Sequence, residues 1–368
     1  MEHDKKSLKE KKLDEIYEKY KENLTSIEDL TAGDDPNLLF FLWVKLFGFM
    51  LDDNPDKTIS ENGLKVRKYA YLLIKKLGPA FLKVPQVIED KNELLGYKKY
   101  EDGKKIILPK EPVIWTPNHS FLDDALGSVT VAYRNAYFLF GSLPHFYNNI
   151  DALAVWLNGA VMTNRKVKNS RLASVDKATK VLKNGTDLIW YPEGVWNKSP
   201  NKLLLDFWPG IYKMAVDNGV CVVPMIHYVK DKSELDKNCL IHTVVDEPID
   251  FSTMSEKQAL EYLREVMSTW YYLMMEKYGK STREESLNGH NDSLSAWESE
   301  LEKRIAGAGA YDLSIETSYE YQRKENISPE DVWENIANLE ITKENASHVL
   351  SARKMVMEYK KNNFQKRF

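Results

Sequence analysis

From about residue 112 to residue 250 the chain alternates short apolar runs with helical stretches, and this alternation restricts the fold more than any other feature. The runs are "PVIWT" (112–116), "AYFLF" (136–140), "GAVMT" (159–163), "TDLIWY" (186–191), "VCVVPMIHYV" (220–229) and "IHTVVDEPI" (241–249). Helical patterns fill the intervals near 121–133, 151–157, 170–183 and 208–218, and another over 255–277 closes the region. Strands alternating with helices predict an α/β architecture, with a largely parallel central sheet flanked by helices. Residues 111–280 are read as that domain. Residues 1–110 are an N-terminal helical region, and 281–368 are a charged, mostly helical extension. The polar, turn-rich "STREESLNGHNDS" (281–293) joins the extension to the domain.

Composition narrows the function classes. The chain has 368 residues, enough for a large core, with 43% apolar and 29% charged residues. A formal net charge of -4 offers no basic field for nucleic acid. Two cysteines, Cys221 and Cys239, are too few for a disulfide framework or a zinc site, and Cys221 in "VCVVPMI" reads as a small buried hydrophobe. No metal or bound cofactor is implied. A reducing, cytoplasmic setting follows.

The first 24 residues contain no signal-peptide core. They form a charged helix with one apolar stripe at Leu13, Ile16, Tyr17 and Tyr20. The most apolar segment, "NLLFFLWVKLFGFML" (37–51), is shorter than the roughly 20 residues of a spanning helix. It is either a core helix or a helix lying in a membrane interface, with Phe40, Phe41, Trp43, Phe47 and Phe49 dipping into the acyl boundary. "RKYAYLLIKKLGPAFLK", from Arg67, mixes basic and apolar residues in the same manner. Two such helices in succession favour contact with a membrane surface, as a peripheral, monotopic protein.

The chemistry gathers in "WTPNHSFLDDALG" (115–127), between an apolar strand and an apolar helix. Ser120 to Asp123 has the form of a capping box. With Ser120 as N-cap, His119 stands at N′ and Asp124 at N4, the two positions that a staple at a helix start brings together. Asp123 then caps, and Asp124 orients His119. A carboxylate on one imidazole nitrogen fixes the tautomer and leaves the other as a base, at the mouth of a parallel sheet where ligands bind.

"NHSFLDD" has the His-x4-Asp form of the glycerolipid acyltransferase family, which includes lysophosphatidic acid acyltransferase. "GAVMTNR" resembles the family's second block, with Gly159 and Arg165 at its glycine-to-arginine spacing. "YPEGVWN" resembles the third block, and "VVPM" around Pro224 the fourth. The four occur in the family's order across roughly residues 110–250. The resemblance implies acyl transfer from a thioester, acyl-CoA or acyl-carrier protein as co-substrate, to a hydroxyl of a lysolipid acceptor. His119 would be the base and Asp124 its support, with no covalent acyl-enzyme. Arg165 would pair with an acceptor phosphate. Glu193 would sit beside the acceptor or hold the site's hydrogen bonds, and Gly194 would allow the tight turn after the strand.

One position departs from the family. Trp196 stands where the third block carries arginine, with Val195 and Asn197 in place of small hydroxyl residues. Tryptophan cannot hold a phosphate by charge, so a larger or less charged acceptor is expected, with Trp196 as a stacking face and Lys198 the nearest substitute cation. Two other classes compete with transfer: a non-catalytic lipid-binding protein, which would not require the His119–Asp124 pair, and a thioesterase, in which water replaces the acceptor. The absence of a G-x-S-x-G elbow opposes a serine hydrolase. "GAGAYD" near residue 307 lacks the third glycine and the preceding strand of a dinucleotide site.

Overall fold

The computed structural model describes residues 7–80, 82, 85–95, 106–119, 124–150, 152–195, 197, 203–229, 240–278, 334, 336–342 and 345–365. Its centre is a seven-stranded sheet of β1 (Gln86–Ile88), β2 (Val113–Pro117), β3 (Ala136–Phe140), β4 (Ala160–Met162), β5 (Asp187–Ile189), β6 (Cys221–Tyr228) and β7 (Ile241–Val245). The order across the sheet is β1-β7-β6-β2-β5-β3-β4. Every neighbouring pair is parallel except β6–β7, which is antiparallel. β2, β4, β5 and β7 are buried at every position, as strands covered on both faces must be.

Pro224 lies inside β6, where its missing N–H would ordinarily break a ladder. Its carbonyl accepts from Asp246 N, on the side away from β2, so the absent donor falls on that side too and the pairing with β2 is untouched. Cys221, expected as a buried hydrophobe, is instead part-exposed because it is the first residue of β6. At the same amino edge of the sheet Asp187, the first residue of β5, accepts from Val113 N, Trp115 Nε1 and Arg134 Nε at 2.9–3.1 Å. Burial nevertheless pushes this carboxyl above its ordinary range.

The longer helices of the first 160 residues are α1 (Leu8–Tyr20), α2 (Leu38–Phe47), α3 (Glu61–Leu77), α4 (Asp124–Val131), α5 (Leu143–Asn148) and α6 (Ala152–Asn158). They are followed by α7 (Lys168–Lys183), α8 (Gly210–Asn218) and α9 (Glu256–Tyr278). Ser7, Asn37 and Ser60 cap α1, α2 and α3, each side chain accepting a backbone N–H of the first turn. Ser60 starts α3 well before Arg67, and Arg67 turns inward, donating to Trp156 O and Tyr137 Oη. α1 contributes Leu13, Ile16, Tyr17 and Tyr20 to an apolar cluster shared with α2, α5 and α6.

That cluster corrects one expectation. Phe40, Trp43 and Phe47 of α2 are buried in it, and Phe41 packs against it. The exposed apolar face of α2 is Leu38, Leu42 and Leu46, continued by Phe49. α3 likewise exposes Val66, Tyr69, Leu72, Leu73 and Leu77, with Lys65, Lys68 and Lys76 exposed beside them. α2 packs on α5 and α3 on α6, while Ile150 and Leu153 between and on those supports are exposed as well. Among the described residues no helix is long and apolar enough to cross a membrane.

Contacts divide the chain into Met1–Tyr319 and Glu320–Phe368. The second unit contains α10 (Ala346–Gln365), before which the side chains of Thr342 and Asn345 each accept the other's backbone N–H. The linker expected at 281–293 lies outside the described residues, as does Cys239.

Candidate active site

Four parallel strands end along one edge of the sheet, and each delivers one part of a site. β2 runs out into His119, β3 into Gly141, β4 into Arg165 and β5 into Glu193 and Gly194. This carboxyl edge is where α/β sheets bind ligands, because the strand-to-helix loops leave a crevice there.

His119 Nδ1 and Asp124 Oδ2 are 2.7 Å apart. Asp124 opens α4 and its side chain is 1% exposed, whereas the imidazole keeps 18% of its surface. The carboxylate therefore stands behind the ring, and the ring faces outward. A bond from Nδ1–H to a buried carboxylate selects the tautomer with Nε2 as the basic nitrogen. Tyr191 stacks on the imidazole, with ring centroids 4.3 Å apart and planes tilted by 31°. Burial, then the Asp124 charge, raises the Tyr191 phenol well above its ordinary value, so it stays a hydrogen-bond donor beside the pair. Ser120 and Asp123, expected as N-cap and N3, lie outside the described residues.

Glu193 ties this strand end to its neighbour. Oε1 accepts the backbone N–H of His119 at 2.9 Å, and Oε2 accepts that of Leu205 at 2.7 Å. The side chain is 1% exposed. Both carboxylate oxygens are thus engaged with backbone N–H groups. Asn197 N donates to His119 O at 2.6 Å, a second link between the same loops. Gly194 turns the chain with φ +74° and donates its N–H to Tyr191 O. A side chain there would meet both the left-handed penalty and the Trp208 ring, 3.1 Å from an added Cβ. Trp196 and Lys198 lie outside the described residues.

Arg165 follows β4, three strand spacings from β2, so the two loops start roughly 14 Å apart at about 4.8 Å per strand. The guanidinium shortens that gap by lying over Gly141, at the end of β3, where an added Cβ would collide with Arg165 Nε. The loop is fixed from the N-terminal side. Asn164 Nδ2 donates to Asn23 O and to Asp29 Oδ2, and Lys166 pairs with Asp29 at 3.3 Å. Gly159, the other residue of the second block, has φ +108° with the Tyr137 ring where a Cβ would be.

The sequence reading did not nominate Tyr191, Ser128, His227, Asn118 or Gly141. Tyr191 precedes "PEG" and Asn118 precedes His119, so adjacency to a motif was a signal for both. Ser128 and His227 carry no local signal. Among the described residues no group of three or more His, Cys, Asp or Glu is placed to hold a metal ion.

Residues 99–228 match the family model described as Acyltransferase, which takes in β2 to β6 with His119, Asp124, Arg165, Tyr191, Glu193 and Gly194. A curated relative, 1-acyl-sn-glycerol-3-phosphate acyltransferase of Chlamydomonas reinhardtii, is 30% identical over 118 residues, 32% of this chain. The match spans 34% of that relative, about a third of its length. The crystal structure of PlsC, the 1-acyl-sn-glycerophosphate (LPA) acyltransferase of Thermotoga maritima, aligns with a TM-score of 0.44 at 22% identity, covering 67% of this chain and 96% of that one.

Proposed function

We propose that the acyltransferase domain this chain carries, of the lysophosphatidic acid acyltransferase-like family, moves a fatty acyl group from acyl-CoA or acyl-carrier protein to the hydroxyl of a lysophospholipid-like acceptor. The observation that carries the reading is the 2.7 Å His119–Asp124 pair at the carboxyl edge of a parallel sheet, inside the matched residues. The acceptor oxygen attacks the thioester carbonyl carbon while His119 Nε2 takes the hydroxyl proton. The tetrahedral adduct collapses, the carbon–sulfur bond breaks, and the leaving thiolate receives that proton. Asp124 supports the transient imidazolium and remains a carboxylate throughout. The test is thiol release from oleoyl-CoA with and without lysophosphatidic acid, with the product identified by mass. Release that depends on acceptor and yields the diacyl product supports transfer. Equal release without acceptor would make the protein a thioesterase, and none with any acceptor a lipid-binding protein.

Arg165 is assigned to the acceptor phosphate, which its planar fork suits. Gly141 gives it the room to lie inward. Gly141→Ala is therefore expected to raise the KM for lysophosphatidic acid about as much as Arg165→Ala does, with the donor KM and thermal midpoint unchanged. A raised donor KM instead would move Arg165 to the thioester side. Trp196 is proposed to pack on the acceptor, so Trp196→Arg should improve the use of lysophosphatidic acid relative to bulkier acceptors.

The exposed leucines of α2 and α3, flanked by Lys65, Lys68 and Lys76, are proposed to enter the interface of an anionic membrane. Each leucine transferred from water contributes about 1.5–3 kcal/mol. Leu42→Ser, Leu46→Ser and Leu73→Ser combined should release the protein from phosphatidylglycerol vesicles in a sedimentation assay. Undiminished binding by the folded triple variant would remove this face from the membrane.

A further inference from the structure

We propose that His227 is a positioning residue for the His119–Asp124 pair, a buried clamp that refers both partners to one point on β6. The proposal rests on the reading of that pair as the general base. His227 is 0% exposed and lies in β6, next to β2.

Its backbone holds the histidine side. His227 N donates to Asn118 Oδ1 at 2.7 Å, and Asn118 Nδ2 donates back to His227 O at 3.0 Å. This two-bond ring fixes the residue immediately before His119 beyond the end of the β2 ladder. The imidazole holds the aspartate side. His227 Nε2 lies 2.9 Å from Ser128 Oγ, one helical turn into α4. Ser128 Oγ donates to the carbonyl of Asp124 at 2.7 Å.

A serine that bonds the carbonyl four residues back is commonplace in helices. What is unusual here is that the same oxygen also meets His227 and lies 3.2 Å from Tyr191 Oη, the ring stacked on His119. Because the Ser128 proton is directed at Asp124 O, His227 Nε2 must be the donor to Ser128. His227 Nδ1 is then an acceptor, and Thr243 Oγ1, 2.8 Å away, donates to it. Gln86 Nε2 donates in turn to Thr243 Oγ1 at 2.9 Å. The chain of bonds has one direction and ends on the residue that orients the base.

The geometric consequence is specific. His119 and Asp124 sit on separate elements, a strand end and a helix start, and small independent shifts of these would open their bond. Misplacement of about 1 Å at a reacting group is enough to cost on the order of 10²-fold in rate. One residue that fixes both elements to the same strand, the strand end through its backbone and the helix start through its imidazole, removes that freedom.

The experiment has two readouts on the full chain. In protein with 15N-labelled histidine, the far-downfield Nδ1–H proton of His119 is the signal lost in His119→Ala. Ser128→Ala and His227→Leu should shift and broaden it while the thermal transition stays cooperative, and His227→Gln, which restores a donor toward Ser128, should recover part of it. With oleoyl-CoA and lysophosphatidic acid, kcat of Ser128→Ala should fall about tenfold while both KM values stay within about twofold, the pattern of a lost transition-state contribution. Should His227→Leu not fold, Ser128→Ala carries the test, since it removes only one hydroxyl. An unchanged resonance and kcat in folded Ser128→Ala overturns the inference. Wild-type turnover in His119→Ala would instead overturn the reading of the base, and the resonance would still report whether His227 holds the pair.

Discussion

Turnover of oleoyl-CoA with lysophosphatidic acid falls by about 10² to 10⁴-fold in His119→Ala, the range of a lost general base, with the thermal midpoint nearly unchanged. The two halves of this expectation have separate causes. The imidazole is 18% exposed and its backbone N–H still reaches Glu193 after the substitution, so the fold loses little. The proton of the attacking hydroxyl, however, has lost its acceptor. Asp124→Asn is expected to cost less than His119→Ala but still at least tenfold, because a neutral amide can accept from Nδ1–H without stabilising the imidazolium. Asp123→Asn serves as the control, with an expected loss on the order of 1 kcal/mol of stability, as for a weakened cap, and turnover retained. Turnover lost in Asp123→Asn at unchanged stability would exchange the roles of the two aspartates.

The approach of His119 to Asp124 was legible because a helix start obeys a local rule. On an ideal helix two residues five apart point away from each other; here the side chains meet at 2.7 Å, while residues 120–123, on which the capping expectation rests, lie outside the described residues. The strands of the parallel core were legible for a similar reason, since their apolar runs sit between well-patterned helices. β1 was not. Gln86, Val87 and Ile88 are too few to announce a strand, and they become one only through pairing with Ile241, His242 and Thr243. The reversal at β7 is likewise set by pairing and not by composition. In α2 both faces are apolar, so the period shows two stripes without saying which turns inward. The aromatic stripe took the core, where Phe40, Trp43 and Phe47 bury more surface than leucines would, and left the leucines outside. His227 is the sharpest case. It sits in the apolar run "VVPMIHYV", and its partners Ser128 and Asn118 are 99 and 109 residues away. Nothing local distinguishes it from a strand residue packed in the core.

Acid should destabilise this protein through that same histidine. Burial depresses the His227 imidazole to about 3, whereas in the unfolded chain it titrates at its ordinary 6.5. Between these values the unfolded state binds a proton that the folded state does not, so unfolding takes up a proton and stability falls as the pH drops from 6.5 toward 3. The slope approaches about 1.4 kcal/mol per pH unit, which makes roughly 2 kcal/mol between pH 7 and pH 5. Glu89 acts lower on the scale. Burial opposes its charge, but bonds from His242, Tyr278 and Lys277 outweigh that and hold it at about 2, so its contribution is present above 4.5 and is lost only as the pH falls from there. The interval from 7 to 5 therefore isolates His227 from Glu89. Urea midpoints at the two pH values should drop in the wild type and drop by much less in His227→Gln, which has no group to protonate there and can still donate to Ser128. Equal losses in both proteins would mean that the unfolded-state protonation of His227 does not govern acid stability, and the neutral, one-directional chain from Thr243 through His227 to Ser128 would lose its main thermodynamic signature.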